Sequence, residues 1–174
     1  MSGEMMTDGA ADPIRDNARL AEIAALGLTA AEVDGVLQQT VEEAASRLGL
    51  PTAMVSIVMD EAQWFAAHTG LPAWMAEARG TPVEWSFCAN AVRTGEPFVV
   101  EDATTHPLVK NIPIVDLDNV RCYAGIPLVT STRQTLGTLC VIGTEPKSFS
   151  QAELDTLRTL AKQAMDRIEE RRRE

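Results

Sequence analysis

Cysteine is scarce in this sequence. Three cysteines, Cys88, Cys122 and Cys140, occur among 174 residues, and no two of them lie close together along the chain. An odd number at such spacings makes neither a disulfide framework nor the short-range ligand pairs of a zinc site. We therefore expect reduced thiols, a cytoplasmic location and no metal centre.

Basic residues and long apolar runs are also in short supply. The chain has 15 Lys and Arg against 25 Asp and Glu, a formal net charge of −10. Such a balance argues against a nucleic-acid surface, which needs clustered positive charge to displace counterions from phosphates. No apolar run approaches the roughly 20 residues of a membrane helix. The N-terminus also lacks the basic start and apolar stretch of a secretory signal. The sequence predicts no nucleic-acid partner and no membrane partner.

What the chain does contain is the apolar content of a globular protein, 45% of its residues. We expect a disordered tail over residues 1–12 and a single domain over residues 13–174. Apolar spacing predicts a first helix that ends near Gly27 and a second that begins with a Thr29–Glu32 capping box. A third helix begins at residue 150, where Ser150 and Glu153 form the same pattern.

Between these helices, alternating and β-branched stretches predict five strands, near residues 52–60, 62–70, 98–102, 121–130 and 134–143. A short helical segment around Cys88 separates the second strand from the third. Residues 103–120 then form a connection that is long for a compact domain, and such loops usually cover binding sites. The order predicts an α+β fold with a five-stranded, mostly antiparallel sheet.

Four stretches carry a family resemblance: QWFAAHTGL, SFCANAVRTGEPFVVEDAT, RCYAGIPL and LGTLCVIGTEPKSFSQAELDTLRTLA. In their order and spacing, residues 29 to 168 resemble the GAF domains of bacterial signalling proteins. The resemblance implies a GAF/PAS-like sheet with the N- and C-terminal helices on one face. It implies a small-molecule pocket on the other face, under the short helix and the long loop. It also implies a homodimer through the terminal helices and a downstream kinase, cyclase or other signalling effector, on a partner protein or a longer chain.

Strand alternation and this resemblance together nominate the pocket residues. Tyr123 and Cys122 must face opposite sides of their strand. Similarity to relatives that reduce free methionine-R-sulfoxide points Tyr123, Thr138 and Cys140 into the pocket and Cys122 towards the helices. The full set of predicted pocket residues is Trp64, Phe87, Cys88, Asp102, His106, Tyr123, Thr138 and Cys140.

Several of these residues have more than one reading. Cys88 follows Ser86, a predicted N-cap, so the positive end of the short helix would lower its thiol pKa and suit a redox sensor; otherwise it is a small buried residue. Asp102 either touches a ligand or fixes the loop through an Asx turn. His106, at the start of the loop, is the most ligand-like of the polar residues. Trp64 either stacks on a planar ligand or fills the core.

The signatures of known GAF ligands are incomplete here. A bilin site needs a cysteine commonly followed by histidine, but Ala89 follows Cys88. Cyclic-nucleotide binding rests on an Asn-Lys, Phe, Asp-Glu constellation, whereas here Lys110 precedes Asn111 and no Phe follows. A haem needs an axial ligand, and the two histidines are isolated. The cofactor is therefore unknown, with no signature for haem, bilin or cyclic nucleotide.

We expect a non-enzymatic sensory domain that binds a small molecule, or senses redox state, between the sheet and the loop. One alternative is a free methionine-R-sulfoxide reductase that uses Cys88. Residues 111–121 hold no cysteine, however, and Tyr123 and Cys140 replace the two substrate carboxylates of that enzyme class. The other alternative is a ligand-free dimerisation module, in which apolar positions such as Leu157, Leu160 and Ala164 meet a second protomer.

Overall fold

The structure is a computed structural model that describes residues 12–28 and 34–171. The predicted tail, apart from Asp12, and the Thr29–Glu32 capping box lie outside these residues. The helices are α1 (Asn17–Leu26), α2 (Gly35–Leu48), α3 (Ala73–Ala78), α4 (Cys88–Thr94), α5 (Pro113–Leu117) and α6 (Gln151–Arg171). The strands are β1 (Thr52–Val58), β2 (Ala62–Thr69), β3 (Gly80–Pro82), β4 (Phe98–Val100), β5 (Cys122–Val129) and β6 (Thr135–Gly143). Short 3₁₀ turns lie at Pro13–Arg15 and Val83–Trp85.

These strands form one sheet of six, not five, in the order β3-β2-β1-β6-β5-β4. Each neighbouring pair is antiparallel. The strand that the sequence did not predict is β3, which pairs with β2 at the edge. It is three residues long, Gly-Thr-Pro, and so offers neither the alternation nor the β-branched run by which strands are predicted.

Helix ends follow the local chemistry of the sequence. The capping box at the start of α6 is confirmed, since Glu153 N–H donates to Ser150 Oγ and Ser150 N–H to the Glu153 carboxylate, at 3.1 and 2.9 Å. Gly27 and Gly49 end α1 and α2 in the left-handed conformation, which costs glycine little. Helix α2 is capped by Asp34, whose side chain accepts from two backbone N–H groups.

The helices α1, α2 and α6 cover one face of the sheet and form its larger core. Leu37 and Val41 of α2 and Leu157 and Leu160 of α6 are buried there against residues of the central strands. Leu157, Leu160 and Ala164, the positions offered above for a second protomer, are at most 1% exposed within the single chain. That basis for a dimer contact is wrong, because these side chains already pack against the chain's own sheet and helices.

The other face carries the second core, under α3, α4, α5 and the long loop. Residues 103–120 are called the lid loop here; the loop contains α5 and buries Val109, Ile114 and Val115 against this core. Side chains of β1, β5 and β6 alternate between the two cores, so that Met54 faces the lid loop while Val55 faces the helices. A strand residue that packs under the lid loop is therefore next in the chain to one that packs against the helices. Among the described helices, none is long and apolar enough to cross a membrane.

Candidate functional site

Five of the predicted pocket residues come together under α4. Tyr123 Oη and Thr138 Oγ1 each donate a hydrogen bond to Cys88 Sγ over 3.1 Å. Cys88 Sγ lies 3.8 Å from Cys140 Sγ, and the ring of Phe87 is 5.3 Å from that of Tyr123. The five side chains are buried, so they form a packed cluster rather than the walls of an open space.

Hydrogen bonding makes Cys88 the more acidic thiol of the cluster. Burial raises its pKa, but hydrogen bonds from Cys140, Thr138 and Tyr123 outweigh burial and hold the pKa below its ordinary value of 9.0. Burial and the neighbouring Cys88 raise the pKa of Cys140 well above that value. One thiol of the pair therefore ionises well before the other.

The short helix over this cluster begins as its sequence suggests. Ser86 Oγ accepts a hydrogen bond from the N–H of Ala89 at 3.1 Å, as expected of a capping hydroxyl. Cys122, predicted to face the helical layer, is the first residue of β5 and is fully buried near Gly143 and Leu50. Burial raises its pKa.

Asp102 and His106 lie apart from the cluster, at the β4 edge of the sheet. Asp102 accepts hydrogen bonds from both the N–H and the hydroxyl of Thr104, at 3.0 and 2.6 Å, which is the Asx-turn arrangement. His106 Nδ1 accepts from the N–H of Leu108 at 3.2 Å. Its ring stands edge-on to Phe98, with centroids 5.3 Å apart. Both side chains stabilise the start of the lid loop in this structure.

Trp64 lies on the helix-covered face of the sheet, so its prediction as a pocket residue is wrong. Its ring packs against the helix-covered core, and the guanidinium of Arg79 lies 4.8 Å from its centre. A bulge between Val55 and Ser56 sets two residues of β2 against one of β1. Trp64 pairs with Ile57 and shares its side of the sheet, while Phe65 turns towards the lid loop.

One open space on the lid side is a cavity of about 150 Å³, displaced from the packed cluster. It lies between the β2-β1-β6 part of the sheet, α3 and the end of the lid loop. Its apolar walls include Met54, Leu71, Met75, Ile114, Val120 and Ile142. Its polar walls include Thr52, Gln63, Thr81, Asp118 and Thr144. None of the eight predicted pocket residues lines this cavity.

Gln63 is a wall residue that the sequence did not single out. Its Oε1 accepts from the hydroxyls of Ser56 and Ser86 at 2.9 and 2.7 Å, and its Nε2 donates to Thr81 Oγ1 at 2.7 Å. Gln63 is only 4% exposed, so this network fixes the amide from both ends. The available signal was a glutamine between the apolar residues of a strand, which predicts a buried polar partner rather than a surface position.

Asp118 is the second wall residue that was missed. Its Oδ1 accepts from Trp74 Nε1 at 3.5 Å, which joins α3 to the end of the lid loop. Its Oδ2 is buried and has no hydrogen-bond partner among the described residues. In the sequence Asp118 is one of two aspartates in VDLDN, and nothing distinguishes it from Asp116.

A GAF-domain family profile matches residues 30–169 of the chain. The chain belongs to the GAF domain family. A cyclic di-GMP phosphodiesterase of Pseudomonas aeruginosa is 35% identical to this GAF domain over 158 residues. That match covers 90% of the chain but 26% of the relative, so the chain spans about a quarter of that protein's length.

Solved structures carry the same fold. The GAF domain of a phosphoenolpyruvate-protein phosphotransferase from Coxiella burnetii has a TM-score of 0.66 and 21% identity, over 90% of this chain and 97% of that one. The free methionine-R-sulfoxide reductase of Neisseria meningitidis, solved with its substrate, has a TM-score of 0.65 and 22% identity, over 87% and 88%. At these identities the likeness shows the fold alone. Family membership gives the chain a signalling and sensory context. Across the residues that the structure describes, no group of three or more His, Cys, Asp and Glu side chains is arranged to hold a metal ion.

Proposed function

We propose that this GAF domain is a non-enzymatic sensory module that binds a small molecule in the cavity between the sheet and the lid loop. The observation that carries the proposal is the cavity itself, a mostly apolar space with a few convergent polar groups. That composition is typical of ligand sites in proteins. The lid loop supplies Ile114, Asp118 and Val120 to the cavity wall. A bound molecule would therefore contact the lid loop directly and could change its conformation.

The size of the cavity limits what it can hold. An engineered apolar cavity of about 150 Å³ in another protein binds benzene, whereas drug-sized ligands occupy about 300 to 1,000 Å³. At about 150 Å³, this cavity suits a molecule near the size of one substituted ring. A cyclic dinucleotide, a haem or a bilin is far larger. We therefore propose a small metabolite as the ligand.

The sheet offers a route from the cavity to the helices. Met54 and Ile142 line the cavity, and their strand neighbours Val55 and Val141 pack in the helix-covered core. A ligand that prefers one arrangement of the lid loop shifts the balance of states, and the helices respond only if the two arrangements pack differently on them. A kinase, cyclase or other effector that reads this shift is part of the proposal, as is a homodimer through exposed positions of the terminal helices, since Leu157, Leu160 and Ala164 are buried within the chain.

A role without catalysis is favoured by where the thiols lie. Cys88 and Cys140 are at most 1% exposed and do not line the cavity, so a substrate bound there would not meet them. The relative named as a phosphodiesterase is almost four times as long as the matched region. Because the match covers only that part, we propose a regulatory role for this domain. Turnover of free methionine-R-sulfoxide with a thiol reductant, lost in Cys88→Ser, would overturn this point.

The binding proposal is tested with a panel of single-ring and short-chain compounds, each neutral, cationic or anionic, by thermal shift and protein-observed NMR. We expect at least one class to raise the melting temperature and to perturb signals of cavity residues. Val120→Phe, which fills a cavity wall, should abolish the effect, while Leu117→Phe, at an exposed position of the same loop, should preserve it. Should Val120→Phe not fold, Thr144→Leu tests the same wall. No binding by any compound, or equal binding after the wall is filled, would overturn the proposal.

Redox sensing is a second candidate, favoured by the contact between two thiols of unequal acidity, Cys88 and Cys140. Hydrogen peroxide would convert Cys88 to a sulfenic acid with release of one water. Attack by Cys140 would then form the disulfide and release a second water. Intact mass should fall by two hydrogens, in wild type and Cys122→Ser but not in Cys140→Ser. A thiol pair that resists peroxide until the protein unfolds would reject this candidate.

A further inference from the structure

We infer that the cavity selects small amines, with their ammonium group held by Asp118. The inference rests on the proposed binding function and adds to it the chemical class of the ligand. Asp118 comes from the end of the lid loop and lines the cavity beside Met75 of α3 and Val120. Its Oδ2 is buried without a hydrogen-bond partner among the described residues. This oxygen is the reason to expect a donor in the ligand.

A buried acceptor without a partner is unfavourable, and a charged one more so. Leaving such a group unpaired costs about 1–3 kcal/mol, and more when it is ionised. The other oxygen of Asp118 is held by the indole of Trp74, a neutral donor at 3.5 Å, which is a long hydrogen bond. In this structure Oδ2 is closed to an atom of water size, so the Asp118 side chain must turn for a ligand ammonium to give it the charge-assisted bond that no described side chain provides.

Three of the other polar wall residues are already engaged within the protein. Gln63 uses both ends of its amide, and Thr81 Oγ1 both accepts from that amide and donates to the Pro82 carbonyl. Thr52 Oγ1 donates to the Gly70 carbonyl at 3.0 Å. These groups orient a ligand weakly, because each would first have to release a partner. Asp118 has an acceptor site to spare.

The apolar walls define the rest of the molecule. Met54, Leu71 and Ile142 offer a surface for a hydrocarbon body, and the volume of about 150 Å³ limits that body to about one ring or a short chain. The formal net charge of −10 further favours a cation over an anion at the cavity mouth. The predicted class is thus a small primary or secondary amine with one apolar group.

Three probes that share one ring test this class: benzylamine, benzyl alcohol and benzoate. We expect benzylamine to bind about tenfold or more tightly than benzyl alcohol, the ratio that one charge-assisted hydrogen bond supports. Benzoate should bind weakest of the three. Titration calorimetry gives the dissociation constants, and the NMR signal of the Trp74 indole N–H reports contact beside Asp118. That signal should move with benzylamine.

Asp118→Asn should remove the preference, weakening benzylamine about tenfold and leaving benzyl alcohol almost unchanged. Asp116→Asn, on the exposed side of α5, is the matched control and should behave as wild type. Asp118→Ala, checked by its melting curve, serves if the asparagine variant does not fold. If benzyl alcohol or benzoate binds as tightly as benzylamine, or if Asp118→Asn keeps the preference, the amine class is wrong and the binding proposal stands. If neither these probes nor the wider panel binds, both are wrong.

Discussion

Gln63 joins three separate segments of the chain beside the cavity. One amide joins Ser56 on β1, Thr81 on β3 and Ser86 before α4, all within 2.9 Å. Ser86 in turn accepts from the first turn of α4, so the start of that helix is tied to the sheet through Gln63. A buried network of this kind specifies one arrangement when every member is satisfied, and it is costly when one is removed.

Replacing Gln63 with methionine, which has a similar length and no polar end, should therefore destabilise the domain. Three hydroxyls lose their hydrogen bond to the amide in a buried setting, and we expect a loss of about 2–4 kcal/mol in the free energy of unfolding. Urea denaturation followed by circular dichroism measures the change. Gln39→Met, at an exposed position of α2, is the control and should shift stability by less than about 0.5 kcal/mol. Equal effects of the two substitutions would show that the network contributes nothing.

The first helix is held to the sheet by a charged side chain as well as by its apolar residues Ile23 and Leu26. Arg19 of α1 is 2% exposed, and its guanidinium donates to the carbonyls of Pro13, Ile14 and Thr135 at 2.9, 2.9 and 3.2 Å. A fourth donation reaches the carbonyl of Leu136 at 3.4 Å. Two of these carbonyls belong to the 3₁₀ turn before α1 and two to β6. Arg19 thus links the carbonyls of the turn before α1 to those of β6.

Arg19→Met should detach this segment from β6. The substitution removes four hydrogen bonds from the guanidinium. Because the segment can then open to water, we expect a cost of about 2–4 kcal/mol and faster amide exchange in α1 than in α2. Hydrogen exchange followed by mass spectrometry resolves the two helices. Arg15→Met, an exposed arginine of the neighbouring turn, is the control. If α1 keeps its protection in Arg19→Met, the guanidinium is not what holds it.

For the molecule as a whole, the sequence predicted the elements with local signals and missed the features that depend on packing. Helix ends with glycine, the capping box of α6 and the five longer strands were predictable, because each is set by neighbours in the chain. The alternation of Tyr123, Thr138 and Cys140 towards the lid side is as predicted. Strand β3 and the side taken by Trp64 were missed, since one depends on pairing across the sheet and the other on a bulge in β1–β2.

The position of the cavity was beyond prediction for a related reason. Phe87 and Tyr123 fill the centre of the lid-side core, and the space that remains lies beside them, next to α3. Which large side chains fill a region and which leave a void is decided by rotamers and by segments distant in sequence. Asp118 and Gln63 became candidates only once the lid loop and β2 were seen to face one another.

Acid should weaken the contact that closes α2 onto α6, and with it the stability of the domain. Burial raises the pKa of Asp34. Hydrogen bonds from the Leu37 N–H and from Arg167 lower it by more than burial raises it, so the pKa lies below the ordinary value of 3.8. Arg167 Nε is 2.7 Å from its carboxylate, and Arg171 Nη1 is 3.7 Å away. A depressed folded pKa contributes stability that is present above pH 3.8 and disappears as pH falls through the folded pKa.

Asp34→Asn keeps a capping side chain for α2 and removes the charge. We expect it to lower the free energy of unfolding by about 1–2 kcal/mol at neutral pH, since a charge-assisted hydrogen bond is lost. The difference from wild type should persist down to about pH 4 and shrink towards zero as Asp34 protonates, when denaturation is repeated across the acid range. Asp166→Asn, whose pairing with Lys162 is exposed, should show a small difference. The prediction is wrong if the difference in free energy of unfolding between wild type and Asp34→Asn is as large at pH 2 as at pH 7. In that case the charge of Asp34 contributes nothing, and packing alone holds the two helices together.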